Sequence, residues 1–226
     1  MFAKTKITIL ALALTVGSTA QALLIEDFET GGFGSDWVLQ SGGGETVSAA
    51  GAHDGSFGVT GDGGWYSRTD VDINLGDSLS AWFKTSTSGG RFYLGFGADD
   101  TGASSFVASP NTGDIRFQNN PGYSYDELNT VAQSFDANAW YRLEVMFALS
   151  GDIIGNLYSA DGTTLANSLL ASGVTEVGGG IAVRSFGGIS YDTIEILQSN
   201  QVPVPGTVML FGLGLVGLGF IRKNKA

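Results

Sequence analysis

Residues 140–149 read WYRLEVMFAL, and this stretch decides the fold class. Its large apolar side chains recur at every second position, at Tyr141, Leu143, Val145, Phe147 and Leu149. Arg142 and Glu144 occupy positions between them. A period of two is that of a β-strand with one buried face. We therefore predict a long strand over residues 141–149 that buries aromatic and aliphatic bulk on one side.

Outward from this strand, short alternating segments separated by glycine clusters predict an all-β domain. Glycine makes up 35 of the 226 residues, about twice its usual frequency. Asp161-Gly162 predicts a tight hairpin turn of the primed types, and residues 125–132 predict a turn. The other predicted strands are 24–28, 37–40, 57–60, 65–68, 78–84, 91–97, 105–108, 114–118, 153–158, 163–166, 181–184 and 191–197. A dozen strands without helical periodicity favour a two-sheet jelly-roll sandwich over residues 23–199.

The charge of this body limits its partners. Five of the 11 basic residues lie in the two terminal segments, whereas all 22 acidic residues lie between them, which leaves 6 against 22. So acidic a body opposes binding to nucleic acid and favours solubility. The chain has no cysteine, so disulfides, thiol catalysis and zinc–thiolate sites are excluded.

The N-terminus predicts a secretory signal peptide over residues 1–22. Lys4 and Lys6 precede an apolar stretch, and Ala20 and Ala22 supply the small residues of a cleavage site. We expect a signal helix here, export through the inner membrane by the secretion machinery, and cleavage after Ala22.

The C-terminus, residues 200–226, predicts a second membrane signal. Two prolines within Val202-Pro203-Val204-Pro205 precede an apolar run that ends at Ile221, and Arg222 and Lys223 follow. As a transmembrane helix, Gly206 to Ile221 would span about 24 Å, less than the hydrocarbon core of about 30 Å. A plain tail anchor is one interpretation. The order of proline pair, short glycine-rich span and basic end resembles the PEP-CTERM protein-sorting signal of Gram-negative bacteria, with Val204 where that family has glutamate. The resemblance implies processing by an exosortase and sorting to the cell envelope, cell surface or extracellular matrix.

Diffuse patterns in the body carry a second resemblance, which covers roughly residues 25–197. The segments are Trp140 to Val145, the hairpin around Asp161-Gly162, Gly179 to Phe186 and Tyr191 to Ile196. They resemble concanavalin A-like, laminin-G-like jelly rolls, a superfamily that holds lectins, hydrolases and inert spacers. The resemblance implies the fold, and it implies no activity by itself.

Catalytic sites find little support. His53 is the single histidine and lies in a glycine-rich segment that predicts a surface loop. The chain has no Gly-x-Ser-x-Gly elbow for a serine triad and no second imidazole for a histidine metal site, so we expect no enzyme. The alternative is a polysaccharide-active glycoside hydrolase that uses paired carboxylates. Its candidates by charge alone are Asp70 with Asp72, Asp99 with Asp100, and Asp126 with Glu127.

Calcium is the one ion that the carboxylates suggest. Asp192 shares strand parity with Ile194 and Ile196, which predicts an inward-pointing carboxylate that needs a partner. Asp27 and Glu29 of the first strand are candidate co-ligands of a calcium ion, and backbone amides or Arg184 are alternative partners.

Exposed aromatic residues are candidates for contact with an extracellular polysaccharide. Parity places Trp82 opposite the apolar face of its strand, and Tyr123 and Tyr125 follow Pro121-Gly122 in a predicted exposed loop. The sequence thus predicts an exported envelope or matrix protein with a structural or carbohydrate-binding jelly roll.

Overall fold

The computed structural model describes residues 21–198, apart from 62, 88 and 175–177, as a sandwich of two antiparallel sheets. The strands are β1 (Gln21–Glu26), β2 (Val38–Ser41), β3 (Thr46–Ser48), β4 (Gly58–Thr60), β5 (Trp65–Arg68), β6 (Ser78–Thr85), β7 (Arg91–Asp99), β8 (Gly102–Ser109), β9 (Asp114–Pro121), β10 (Asp126–Ala132), β11 (Trp140–Phe147), β12 (Ile153–Tyr158), β13 (Leu165–Leu170), β14 (Gly180–Phe186) and β15 (Ile189–Gln198). A single 3-10 turn, Ala49–Gly51, is the helical element of the described residues.

Sheet 1 has the strand order β13-β12-β11-β6-β15-β4-β3, and β1 pairs with the second half of β15. Sheet 2 has the order β10-β9-β8-β7-β14-β5-β2. The all-β prediction and the two-sheet architecture are confirmed. The predicted signal helix and transmembrane helix lie outside the described residues.

The strand predicted from WYRLEVMFAL is confirmed as β11, in the centre of sheet 1 between β6 and β12. Tyr141, Leu143, Val145 and Phe147 are buried in the core. The strand ends at Phe147, and Leu149 is 79% exposed in a turn closed by the hydrogen bond from Ala148 N to Asp152 O. The prediction was wrong at this end because the apolar alternation runs on past the last residue that pairs with β12.

Aromatic side chains from both sheets fill the space between them. Phe106 crosses from sheet 2 to Gly155 of sheet 1, where an added Cβ would lie 2.4 Å from the ring. Since real Cβ atoms do not approach so closely, glycine is required at this point of β12. The other large rings of this core are Phe28, Phe83, Phe92, Phe96, Phe117, Phe147 and Tyr191.

The prediction of a turn near residues 125–132 was wrong. Residues 126–132 form edge strand β10, whose mostly exposed side chains give no apolar alternation.

The predicted Asp161-Gly162 hairpin between β12 and β13 exists, but the prediction of its turn type was wrong, because the turn is not of the primed types. Gly162 has φ +68, Asp161 has a negative φ, and Gly162 N donates to Ser159 O at 2.8 Å. The Asp161 carboxylate instead accepts hydrogen bonds from the amides of Thr163 and Thr164.

Candidate functional site

The outer face of sheet 2 carries a cluster of arginine and aromatic side chains. In the strand register Arg184 of β14 lies between Trp65 of β5 and Tyr93 of β7. The Arg184 guanidinium carbon is 5.8 Å from the ring centre of Trp65, 5.2 Å from that of Tyr93 and 5.1 Å from that of Phe186. These are cation–π distances. Arg184 and Phe186 are half-buried, so this part of the face is open to a ligand.

The loop between β9 and β10 folds over the middle of the same face. Tyr123 is 8% exposed, its ring centre is 5.5 Å from that of Trp65, and its hydroxyl donates to Asp99 O at 2.6 Å. Burial raises the pKa of the Tyr123 hydroxyl. The prediction that Tyr123 is exposed was therefore wrong. A left-handed backbone, φ +58, turns this side chain back onto the sheet, and the loop sequence does not reveal that turn.

Tyr125, in contrast, is exposed as predicted. Its ring is 55% exposed and lies 5.7 Å from the guanidinium carbon of Arg91. Its hydroxyl donates to Glu127 Oε2 at 2.8 Å. We call the half-exposed or exposed set Arg91, Tyr125, Arg184 and Phe186 the arginine face.

A buried ion-pair network supports the arginine face from below. Arg116 of β9 donates from Nε to Asp114 Oδ1 at 2.6 Å, and its terminal nitrogens contact Asp114 and Glu127. Burial raises the pKa of the Asp114 carboxyl, but the hydrogen bonds and charge of Arg116 outweigh it, so that this pKa lies below its usual range. Three of the six basic residues of the acidic body, Arg91, Arg116 and Arg184, therefore share one sheet face.

Amide side chains continue the floor of this face. Asn120 Nδ2 donates to Ser124 O at 2.7 Å and to Gln118 Oε1 at 3.3 Å, and Ser105 Oγ donates to Asn120 Oδ1 at 2.7 Å. Two buried donors, Gln118 Nε2 and Trp65 Nε1, have no hydrogen-bond partner among the described residues. Tyr123 and Arg184 pack against the Trp65 ring, and the Gln118 side chain contacts that of Asn120.

Trp82 lies on the outer face of sheet 1, as its parity predicts, but its side chain is half-buried because a loop residue stacks on the ring. The His53 ring stacks on it at 3.9 Å with an interplanar angle of 14°. Gly162 of the β12–β13 turn contacts the ring closely enough that an added Cβ would be 2.8 Å away. His53 also meets the edge of Trp140 at 4.9 Å, so it is packed against two rings and is not a free loop residue. Because Trp82 and Tyr125 belong to opposite outer faces, the predicted aromatic residues do not form one platform.

Asp192 is buried on the side of β15 opposite to the one predicted. Tyr191 pairs with Phe83 and faces the core, while Asp192 pairs with Trp82 on the outer face of sheet 1. A bulge follows, in which Thr193 has φ +46, and Ile194 faces the core again. The parity prediction was wrong because one extra residue in a β-bulge inverts the alternation.

Backbone amides satisfy the Asp192 carboxylate. Oδ2 accepts from the amides of His53 at 2.7 Å and Asp54 at 3.1 Å, and Oδ1 accepts from Thr193 N at 2.7 Å. Burial raises the pKa of Asp192 above its usual range, although these amides oppose the shift. Backbone amides were one of the alternative partners predicted, and Arg184 is on the other sheet.

The predicted calcium ligands are engaged separately. Glu29 Oε1 accepts from the amides of Ser56 and Phe57, and Asp27 Oδ1 accepts from Glu29 N. Glu29 and Asp192 thus hold neighbouring parts of one loop, residues 53–57. In the part of the chain that the structure describes, no three histidine or carboxylate side chains are grouped to hold a metal ion. The calcium site stays a prediction, and these amide contacts do not favour it.

The residues of the two predicted terminal signals fall mostly outside the described residues. These are Ala20 of the cleavage site and the tail residues Val202, Pro203, Val204, Pro205, Arg222 and Lys223. Ala22 is described and pairs with Leu197 in the β1–β15 ladder. No helix between residues 21 and 198, gaps apart, is long and apolar enough to cross a bilayer.

Comparison with solved structures shows a shared fold. A carbohydrate-binding module, CBM66, from Bacillus subtilis superposes with a TM-score of 0.52 at 13% identity, over 72% of this chain and 96% of the module. A protein of unknown function from Shewanella oneidensis MR-1 gives a TM-score of 0.52 at 14% identity, over 85% of this chain and 95% of that one. No curated protein matches the sequence. Likeness at this level of identity concerns the fold alone.

The tail has a match of its own. Residues 201–223 match the model of the PEP-CTERM protein-sorting motif, which contains the proline pair, the apolar run and the first basic residues. Such a motif indicates export and sorting to the cell envelope or surface. The chain therefore joins a two-sheet β-sandwich to a PEP-CTERM sorting motif.

Proposed function

We propose that this protein is exported, sorted by an exosortase to the cell surface or extracellular matrix, and binds an extracellular polysaccharide through the arginine face. The observation that carries the proposal is the half-exposed strip in which guanidinium groups alternate with aromatic rings in the order Arg184, Phe186, Arg91 and Tyr125. Aromatic rings stack on the apolar faces of sugars, and guanidinium groups donate hydrogen bonds to sugar oxygens.

Contacts with neighbouring side chains hold the arginine residues of this sheet face in place, which favours binding. Arg184 is held by Trp65 and Tyr93, and Arg116 is held by Asp114 and Glu127. Side chains that are already ordered lose little conformational entropy when a ligand arrives. A strip spread over several strands suits an extended polymer better than a small molecule.

Retention by polysaccharide tests this function. The folded domain is run in native gels that contain the extracellular polysaccharide of the producing cells, beside Tyr125→Ala and Arg91→Ala variants. We expect both variants to be retained less than the parent. Phe57→Ala is the matched control, because Phe57 is an exposed ring next to sheet 1. If the parent migrates equally in gels with and without polysaccharide, the binding proposal is wrong and the protein is a passive surface protein.

Processing is tested separately by mass spectrometry of the mature protein from fractionated cells. We expect loss of residues 1–22 and of the tail beyond the proline pair. An intact C-terminus in the envelope fraction would make the tail a plain anchor.

A further inference from the structure

A cleft of about 280 Å³ opens at one end of the sandwich, where Asn120 at the end of the floor of the arginine face forms part of its lining. Its walls are the turn between β7 and β8, the end of β9, the start of β10 and Gly173. The volume is near the lower limit of about 300 Å³ for small-molecule sites, so the cleft suits a ligand of about one sugar unit. Gly97, Gly102 and Gly173 line it without side chains, which lets a ligand approach the backbone.

Three of the polar side chains that line this end cleft have complementary hydrogen-bonding capacity. Asn119 Oδ1 accepts from Ser104 Oγ at 3.0 Å, and Asn119 Nδ2 has no acceptor among the described residues. Asp126 pairs with Asn119 across the β9–β10 ladder, and its exposed carboxylate accepts no hydrogen bond from the described residues. An amide donor thus stands beside a carboxylate acceptor.

Asp99 supplies a second carboxylate at the cleft. Its Oδ1 accepts from Thr101 Oγ1 at 2.7 Å and from Thr101 N at 2.6 Å, which holds the pKa of Asp99 below its usual range. A group held ionised in this way accepts hydrogen bonds at neutral pH and is a poor general acid. This argues for recognition at the cleft and against glycoside hydrolysis by Asp99 with Asp126.

We propose that the end cleft binds a single neutral sugar unit through adjacent hydroxyl groups. Carboxylates accept the hydroxyl protons, and the Asn119 amide donates to a hydroxyl oxygen. Two carboxylates on an acidic body disfavour uronic acids and other anions. The proposal rests on the proposed function for its class of ligand, but it concerns a separate site with its own residues.

Monosaccharide titration of the intact domain, followed by amide NMR shifts, tests the site. Neutral hexoses and pentoses are raised to about 50 mM, since single sugar units bind in the millimolar range at best with so few contacts. We expect saturable shifts at Asn119, Asp126 and Gly173, and at least tenfold weaker binding by Asp126→Ala. Asp100→Ala is the matched control, because Asp100 is an exposed aspartate on the β7–β8 turn that does not line the cleft. Glucuronate should give no saturable shift.

The outcomes separate the two proposals. Binding lost in Asp126→Ala and kept in Tyr125→Ala supports the end cleft. Binding lost in Tyr125→Ala and kept in Asp126→Ala assigns the sugar to the arginine face and overturns this proposal alone. Absence of saturable shifts with every neutral sugar also overturns it, while polysaccharide retention decides the arginine face independently. Asn119→Asp keeps the oxygen that accepts from Ser104 and removes the amide donor, so a folded Asn119→Asp protein that binds like the parent would contradict the assigned contact.

Discussion

The outer faces of both sheets carry aromatic residues, but the contacts of these rings differ between the two faces. On sheet 1 the rings of Trp82 and His53 stack on each other, and the loop that brings His53 is tied down by Asp192. On sheet 2 the rings of Phe186 and Tyr125 lie beside guanidinium groups and stay accessible. An outward-facing aromatic residue is therefore a candidate for ligand contact where no loop residue stacks on it, as His53 does on Trp82.

Each outer face contains an arginine–carboxylate pair, Arg116 with Asp114 on sheet 2 and, on sheet 1, Arg142, whose Nη1 donates to Glu144 Oε2 at 2.7 Å. The largest expected effect comes from breaking the first of them. Arg116→Met removes the side chain that hydrogen-bonds Asp114, so we expect a loss of about 3 kcal/mol in the free energy of unfolding at pH 7. Arg142→Met on sheet 1 should cost about half as much. Glu144 keeps its hydrogen bonds from Asn156 and Tyr158 when Arg142 is removed. Urea unfolding of both variants measures the difference, and equal losses would contradict this account.

The Asp192 anchor gives the next effect. Asp192→Asn replaces an acceptor oxygen with a donor nitrogen against buried backbone amides, so we expect a loss of about 2 kcal/mol in unfolding free energy. Asp54→Asn changes an exposed carboxylate of the same loop and should cost less than about 0.5 kcal/mol. A drop in stability that is the same for both variants would show that Asp192 has no special role. Retention by polysaccharide should be unchanged in the folded Asp192→Asn protein.

Single aromatic substitutions on the two outer faces should have smaller effects on free energy. Tyr125→Ala should weaken polysaccharide binding by about 1 kcal/mol, or roughly fivefold, with little change in stability. Trp82→Ala should lower the midpoint of urea unfolding, because His53 loses its stacking partner, and should leave binding unchanged. The reverse pattern would exchange the roles assigned to the two faces. Affinity gels and urea unfolding, run on the same preparations, provide both measurements.

The pH dependence of stability is the smallest effect and has two signs. Asp192 has a raised pKa in the native state, so stability should rise slightly as pH falls through that pKa toward the usual value of about 3.9. Asp114 has a lowered pKa, so its contribution is present above about 3.9 and is lost as pH falls further. We expect a melting temperature that passes through a shallow maximum under mildly acidic conditions. Asp192→Asn should remove the rise in melting temperature as pH is lowered, and Asp114→Asn should reduce the fall in melting temperature at lower pH, each by a few degrees.

Prediction from the sequence succeeded where one signal dominates. Strand β11 follows from its local alternation and is confirmed except at its C-terminal end, and the strand predicted over Ile153–Tyr158 has the predicted bounds. Failures share another cause. The parity of residues along β15 predicts a core-facing Asp192, but it does not reveal the bulge at Thr193 that inverts the alternation. The loop sequence predicts an exposed Tyr123, but it does not reveal the left-handed backbone that folds this side chain back onto the sheet. The end cleft was not found, since Asp99, Asn119 and Asp126 meet only when two turns and a strand end are brought together.

Composition, the period of apolar residues and the order of the tail residues are local properties, so they are enough to predict an acidic, cysteine-free β-domain followed by a PEP-CTERM sorting motif. Which aromatic residues are covered, which carboxylates hold loops and which polar groups share a cleft can be seen only in the tertiary structure. These depend on strand order and register, which bring together residues such as His53 and Trp82 or Glu29 and Phe57. Contacts of that kind have no signature along the chain, since their free energy exists only once the sheets have formed.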